Sequence, residues 1–154
     1  MTAAYVAVCG PGSATEEQER WAEEVGRRLA EANAVVVCGG LGGVMDAVAR
    51  GAAAAGGTVI GILPGEDRSG ASEHLTVAIP TGMGEARNAI IARAADAVIA
   101  IGGEWGTLSE IALARKMGTP VVGLRTWEPG DRAGEITRAA SPQDAVGRAL
   151  ELLG

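Results

Sequence analysis

The sequence contains no phenylalanine, and its other aromatic residues are one tyrosine and three tryptophans. A core must therefore be built from Val, Ile, Leu and Ala, for which 154 residues are long enough to form one domain. Cysteine is also scarce: Cys9 and Cys38 each end a predicted strand, and no CxxC pair is present. This favours two buried free thiols over a disulfide or a metal site. The one histidine, His74, lies in a predicted loop, and we predict no metal site.

Positive charge is in deficit, because 13 Lys and Arg residues stand against 19 Asp and Glu residues, for a formal net charge of −6. This balance argues against a broad surface for nucleic acid or anionic lipid, and it leaves room for a local cationic pocket. Long hydrophobic runs are missing as well, and no basic segment precedes the first apolar run. We therefore expect a cytoplasmic protein without a signal peptide, a membrane span or a nucleic-acid partner.

Strands and helices alternate along the whole chain, the pattern of a parallel sheet covered on both faces. The strands are predicted at 4–9, 35–38, 58–63, 75–79, 97–101 and 120–124, with a short last strand at Thr137. The helices are predicted to start at Thr15 with a capping box, to span 44–55, 81–95 and 108–118, and to start again at Ser141. We predict an α/β fold: a Rossmann-like, doubly wound parallel sheet in three α/β/α layers, forming a single domain over 1–154.

Three of the predicted strands end in glycine turns that lead into helices, and the chain is organised around the third, at 97–110. Such turns aim backbone N–H groups outward at the positive end of a helix, where phosphate or carboxylate binds. In an open parallel sheet, these turns meet at the carboxyl ends of the strands. The residues predicted to bind phosphate or nucleotide through them are Gly10, Gly12, Ser13, Gly39, Gly40, Gly43, Gly102, Gly103, Gly106 and Thr107.

Two common nucleotide motifs are missing. The run Gly10-x-Gly12-x-x-Thr15 lacks the third glycine of the dinucleotide fingerprint, and the second strand ends in Cys-Gly-Gly rather than a ribose-binding acid. The chain also has no Gly-Lys-Ser or Gly-Lys-Thr, which excludes a Walker P-loop.

Several segments resemble the LOG family, long labelled "possible lysine decarboxylase", of the Rossmann-like SLOG superfamily. Residues 39–49 are similar to its first glycine signature, and 102–110 to its P-G-G-x-G-T-x-x-E signature. The segment 83–87 resembles the one that supplies the family's active-site arginine. In this chain Ile101 replaces the signature proline, and Asn88 follows the arginine where phosphoribohydrolases have lysine.

The resemblance covers roughly Tyr5 to Leu124 and implies one nucleotide-binding domain. The Arg-Asn form, Ser109 before the glutamate and the short chain are closest in pattern to the molybdenum-cofactor carrier proteins and a DprA/Smf-related branch. The family resemblance also implies a homodimer or larger homo-oligomer. This agrees with surplus apolar residues such as Met83 and Met117 on two predicted helices.

Two functions follow from the resemblance and stay open. In the first, the protein hydrolyses the N-glycosidic bond of a nucleoside 5′-monophosphate to free base and ribose 5-phosphate. Arg87 and Glu110 are then catalytic: Arg87 orients the ribose, and Glu110 stabilises the oxocarbenium-like sugar or activates water. The alternative is a non-catalytic carrier of molybdenum cofactor or a related phosphorylated pterin or nucleotide. Met83 and Asn88 join Arg87 in the binding site in either case. No cofactor is required, and lysine decarboxylation is not expected.

Simpler interpretations of the same residues exist. Glu110 follows Thr107 by three residues, so the two could form a capping box. Arg87 could be a solvated arginine on the exposed side of the helix. Glu85 is predicted to interact with the helix dipole rather than to act as a catalyst. The loop 64–74 is expected to contact the base or pterin.

Overall fold

The computed structural model describes residues 2–154, and within them seven strands form one sheet. The strands are β1 (Tyr5–Cys9), β2 (Val35–Cys38), β3 (Val59–Leu63), β4 (Val77–Pro80), β5 (Ala97–Ile101), β6 (Val121–Leu124) and β7 (Thr137–Arg138). All neighbours pair in parallel, in the order β4-β3-β2-β1-β5-β6-β7. The predicted α/β fold is confirmed.

Helices cover both faces of this sheet. They are α1 (Glu16–Glu31), α2 (Val44–Ala54), α3 (Asn88–Ala94), α4 (Trp105–Lys116) and α5 (Pro142–Leu152), with 3₁₀ helices at Gly84–Arg87 and Gly130–Glu135. The predicted capping box of α1 is present, since Thr15 Oγ1 accepts from Gln18 N (3.1 Å) and Gln18 Oε1 accepts from Thr15 N (3.0 Å). None of the helices in residues 2–154 combines the length and apolar character that a bilayer span requires.

The winding direction of the sheet reverses between β1 and β5. From β1 the chain proceeds outward through β2, β3 and β4, then returns to place β5 on the other side of β1. Helices α1, α2 and α5 pack on one face around a Val- and Ala-rich core, while α3 and α4 cover the opposite face. The crevice beside such a reversal is where open α/β sheets bind ligands.

Three element boundaries differ from the predictions. The strand expected at 75–79 is β4, displaced by a few residues toward Pro80. The helix expected over 81–95 begins only at Gly84, because Gly82 and Gly84 have φ of +64° and +57°, which no α-helix accommodates. Its first turn is the 3₁₀ helix, which α3 follows directly. Helix α4 begins at Trp105 rather than after Thr107, so its first turn contains residues that were predicted to form the preceding loop.

Two helical glycines allow α1 and α2 to meet backbone to backbone. A Cβ added to Gly26 of α1 would lie 2.1 Å from the carbonyl oxygen of Val48, and one added to Gly51 of α2 would lie 1.9 Å from that of Glu23. Either methyl group would force the two helices apart.

We predict opposite effects of alanine at two helical glycines. Gly26→Ala should lower the free energy of unfolding by about 1–3 kcal/mol, the scale of overpacking. Gly147→Ala in α5, where an added Cβ meets nothing within 4 Å, should raise it by about 0.5–1 kcal/mol through helix propensity. Urea denaturation measures both. Equal effects at the two positions would show that α1 and α2 are not in backbone contact.

Candidate functional site

A crevice of about 140 Å³ opens at the carboxyl ends of β1 and β5, beside the reversal of winding. Four parts of the chain enclose it: the turn after β1, the start of α2, the segment where the 3₁₀ helix meets α3, and the N-cap and first turns of α4. The lining residues are Gly10, Pro11, Gly12, Met45, Glu85, Arg87, Asn88, Glu104, Gly106, Thr107 and Glu110.

Seven of the predicted site residues line this crevice: Gly10, Gly12, Arg87, Asn88, Gly106, Thr107 and Glu110. The other seven do not: Ser13, Gly39, Gly40, Gly43, Met83, Gly102 and Gly103. Several of these shape the turns instead. Gly43 precedes α2 with φ +61°, and Gly102 makes the turn after β5 with φ +65°. A Cβ on Gly40 would lie 2.6 Å from the side chain of Leu63.

Four lining residues were not among the predicted site residues. Pro11 and Met45 lie inside the glycine-rich segments, so the position of those segments was the signal that could have identified them. Glu104 occupies the variable position of the third glycine turn, and Glu85 was assigned only to the helix dipole. Glu85 and Glu104 are both exposed and place two carboxylates at the crevice.

Arg87 is buried, with 7% of its surface exposed, so the alternative of a solvated arginine is wrong. Its guanidinium donates from Nε to the Ile62 carbonyl oxygen (2.9 Å) and from Nη2 to that of Gly39 (3.5 Å), both at strand ends. Its Nη1 donates to the Oδ1 of Asn88. These contacts use three of the five N–H groups of a guanidinium, so two remain for a ligand.

Asn88 connects this arginine to the start of α4. Its Nδ2 donates to Ser109 Oγ (2.9 Å), and that hydroxyl donates to the Gly106 carbonyl oxygen (2.8 Å). A continuous hydrogen-bonded chain thus runs from Arg87 to the first turn of α4. The chain fixes the distance between the guanidinium and the helix end.

The start of α4 presents unused donors to the crevice. The first helical hydrogen bond runs from Leu108 N to Glu104 O (3.0 Å), so the amides before Leu108 have no acceptor within the helix. A Cβ on Gly106 would meet nothing within 4 Å, so the space beside this residue is open. The hydroxyl of Thr107, a residue only 1% exposed, has no hydrogen-bond partner among residues 2–154. A buried hydroxyl without a partner is costly, and an anion in the crevice would satisfy it.

Glu110 is 8% exposed and does not complete a capping box, because the N-cap of α4 is Glu104 and no side chain caps the helix. The capping alternative is therefore wrong. Burial raises the pKa of the Glu110 carboxyl from 4.5 to about 8; the Arg87 guanidinium acts against this rise, and the Glu85 carboxylate adds to it. The side chain is thus mostly protonated at neutral pH.

Two thiols lie close to this acid. Cys9 and Cys38 are free and buried, and burial raises the pKa of each, that of Cys38 to about 12. The charge of Glu110 raises both values further. Within residues 2–154, no group of three or more His, Cys, Asp or Glu side chains is placed to hold a metal ion.

A larger groove, of about 360 Å³, runs between α4 and the 3₁₀ helix Gly130–Glu135. Its walls are mainly apolar, and its lining residues are Leu108, Ile111, Ala112, Arg115, Lys116, Pro129, Arg132, Glu135 and Ile136. None of the predicted site residues lines it. We assign the candidate site to the smaller crevice because that crevice combines a helix start, a buried arginine and an unpartnered hydroxyl.

The raised pKa of Glu110 predicts a pH-dependent stability. Between about pH 4.5 and pH 8 the folded protein keeps a proton that the unfolded chain has lost, so the free energy of unfolding should fall as the pH rises through this range. The slope is at most about 1.4 kcal/mol per pH unit. Glu110→Gln, a neutral isostere of the protonated acid, should remove this slope in denaturation series, whereas the control Glu151→Gln, at an exposed position, should keep it. Equal slopes in both variants would contradict a protonated Glu110.

The chain is similar to known proteins in sequence and in structure. A model of the SLOG cluster4 family matches residues 3–147. An uncharacterized protein of Archaeoglobus fulgidus is 44% identical over 125 residues, which are 81% of this chain and 82% of that protein.

Solved structures show similarity over nearly the full chain. The molybdenum cofactor binding protein from the phototrophic bacterium Rippkaea orientalis has a TM-score of 0.94 at 33% identity, covering 100% of this chain and 99% of that one. The molybdenum cofactor carrier protein of Chlamydomonas reinhardtii has a TM-score of 0.90 at 35% identity, covering 99% of each chain.

DNA processing protein A from Helicobacter pylori is more distant, with a TM-score of 0.75 at 20% identity over 97% of this chain and 81% of that one. That protein binds single-stranded DNA, but at this identity the similarity supports the fold alone. The resemblance inferred from the glycine signatures is confirmed for the SLOG superfamily, and so is its closeness to the molybdenum-cofactor carrier proteins. The chain belongs to the SLOG cluster4 family.

Proposed function

We propose that the protein binds and carries a phosphorylated ligand of the molybdenum-cofactor class, a phosphorylated pterin, without converting it. The observation that carries the proposal is the unpartnered, buried hydroxyl of Thr107 among the free amides at the start of α4. The similarity to a molybdenum cofactor binding protein and a molybdenum cofactor carrier, at 33% and 35% identity over almost the whole chain, supports this ligand class.

The phosphate is the part of the ligand that this crevice suits. The amides at a helix start and the positive end of the helix dipole favour an anion. Gly106 leaves room for it, Thr107 donates a hydroxyl, and Arg87 has two N–H groups left to give. The carboxylates of Glu85 and Glu104 oppose an anion from the crevice walls, but both are exposed, so water screens them.

The volume of the crevice limits what else enters it. Sites for drug-sized ligands measure about 300–1,000 Å³, whereas this crevice measures about 140 Å³. We infer that the phosphate enters and that the ring system lies over the rim. The loop 64–74, expected from the sequence to contact the ring, does not line the crevice itself.

Hydrolysis of a nucleoside 5′-monophosphate is the second candidate, because Arg87 and Glu110 line one crevice. Its weak point is the protonation state of Glu110. Stabilising an oxocarbenium-like sugar or activating water requires a carboxylate, and a pKa of about 8 leaves the carboxylate as the minor form at neutral pH. A carrier has no need of that charge.

The remaining expectations extend this proposal. A homo-oligomer is proposed because Met83 is 48% exposed and Ile90, Ala94 and Met117 line a shallow apolar depression beside α3; light scattering measures the mass. A cytoplasmic location and the absence of a nucleic-acid partner stay predictions from charge and composition.

Thr107→Val should weaken binding of guanosine 5′-monophosphate, with inorganic phosphate as competitor, by about tenfold, the scale of one hydrogen bond to a charged group. The variant keeps the shape of the side chain and removes a hydroxyl that the fold leaves unpaired. Isothermal titration calorimetry measures the affinities of the wild type and of the variant for guanosine 5′-monophosphate, with inorganic phosphate as competitor.

Thr126→Val is the matched control. The Thr126 hydroxyl is also buried without a partner in residues 2–154, and Thr126 does not line the crevice. Both variants should be at least as stable as the wild type, and only Thr107→Val should lose affinity. Unchanged affinity in Thr107→Val would remove the phosphate site from the start of α4.

The wild-type protein should bind guanosine 5′-monophosphate and release no guanine from it over hours at neutral pH, as chromatography of the mixture would show. Glu110→Gln should bind it equally well. Release of base by the wild type that falls by roughly two to four orders of magnitude in Glu110→Gln would instead establish the hydrolase and refute the carrier.

A further inference from the structure

Trp105 is a large aromatic side chain that the phosphate site leaves unused. It is the first residue of α4 and 75% of its surface is exposed. Its two chain neighbours, Glu104 and Gly106, both line the crevice. An exposed indole ring therefore belongs to the first turn of α4, between two residues that line the crevice.

The ring of Trp105 packs against a second aromatic side chain. It stacks on Trp127 with ring centroids 5.2 Å apart and planes 32° from parallel. Trp127 is itself fixed, because its Nε1 donates to the Glu104 carbonyl oxygen (3.0 Å) and its own carbonyl oxygen accepts from Arg138 Nη2 (2.8 Å). Gly103 packs closely against the Trp127 indole, since a Cβ there would lie 3.0 Å from Nε1.

This arrangement ties the aromatic pair to the phosphate-binding turn. The carbonyl group that accepts from Trp127 belongs to the N-cap of α4, one residue before the free amides. A planar ring held in place by packing offers contact area at low cost in conformational entropy. The pair is thus preorganised relative to the site of the phosphate.

We propose that Trp105 is the stacking platform for the planar heterocycle of the ligand, and so the residue that selects phosphates carrying an aromatic bicyclic ring over those that carry none. The inference rests on the proposed phosphate site at the start of α4. Stacking tolerates any flat ring with a π face, so the selection is for a fused heterocycle as a class.

The experiment separates the ring from the phosphate by comparing two probes. Guanosine 5′-monophosphate carries a bicyclic heterocycle that shares its amino-oxo-pyrimidine half with pterins. Ribose 5-phosphate carries the same sugar phosphate without the heterocycle. Calorimetric titrations use the wild type, Trp105→Ala, Trp105→Phe and the control Tyr5→Ala. Tyr5 is 37% exposed and begins β1, at the end of the sheet opposite the crevice.

We expect the wild type to prefer guanosine 5′-monophosphate over ribose 5-phosphate by roughly 5- to 150-fold, the scale of stacking one base on an aromatic side chain. Trp105→Ala should abolish this preference and leave the affinity for ribose 5-phosphate unchanged. Trp105→Phe should keep most of the preference, and Tyr5→Ala should keep all of it.

Each other outcome has a distinct meaning. Equal losses for both probes in Trp105→Ala would overturn the platform and make Trp105 a support of the helix start. A smaller mass of Trp105→Ala in light scattering would overturn it in favour of a contact between copies of the chain. A wild type that binds both probes equally refutes the platform and leaves the phosphate site. A wild type that binds neither refutes the phosphate site itself.

Discussion

The pairing of β1 with β5 is the constraint on which the site depends. Their register, from Val6 beside Ala97 to Cys9 beside Ala100, brings the turn after β1 against the turn after β5. Gly10 makes this contact possible, since a Cβ there would lie 2.6 Å from the carbonyl oxygen of Ile101. The crevice at the start of α4 lies where these two turns meet, and side chains such as Met45, Arg87 and Asn88 complete its walls.

Asn88 after the arginine and Ser109 before the glutamate, two residues of the carrier-like pattern, are physically one feature. Asn88 accepts from Arg87 and donates to Ser109, which in turn donates to the backbone of α4. A lysine at position 88 has no acceptor to offer the guanidinium and would add a second positive charge beside it. The Arg-Asn form therefore holds a buried arginine through neutral partners, and the serine completes the chain of hydrogen bonds.

The fold and seven of the residues that line the crevice could be predicted from the sequence, because alternating apolar periods and glycine turns are local signals. The residue at which α4 begins could not be predicted from the sequence. Gly106 and Thr107 look like the end of a turn, but the positive φ of Gly102 completes the turn earlier and the helix begins at Trp105. The burial of Arg87 is also non-local, since its carbonyl partners Ile62 and Gly39 are 25 and 48 residues away in the chain. Helical periodicity placed it toward solvent for that reason.

The charge on Glu110 bears on whether the proposed ligand would be held in this crevice or cleaved there. Burial and the Glu85 carboxylate favour the protonated acid, and the Arg87 guanidinium is not enough to reverse them. A bound phosphate adds further negative charge nearby, which by the same Coulomb argument makes ionisation of Glu110 harder still. A phosphate bound at the proposed site would therefore disfavour the carboxylate form that stabilising an oxocarbenium-like sugar or activating water requires. A neutral Glu110 is compatible with retention of a phosphorylated compound, and it leaves only the role of general acid to a leaving group for hydrolysis.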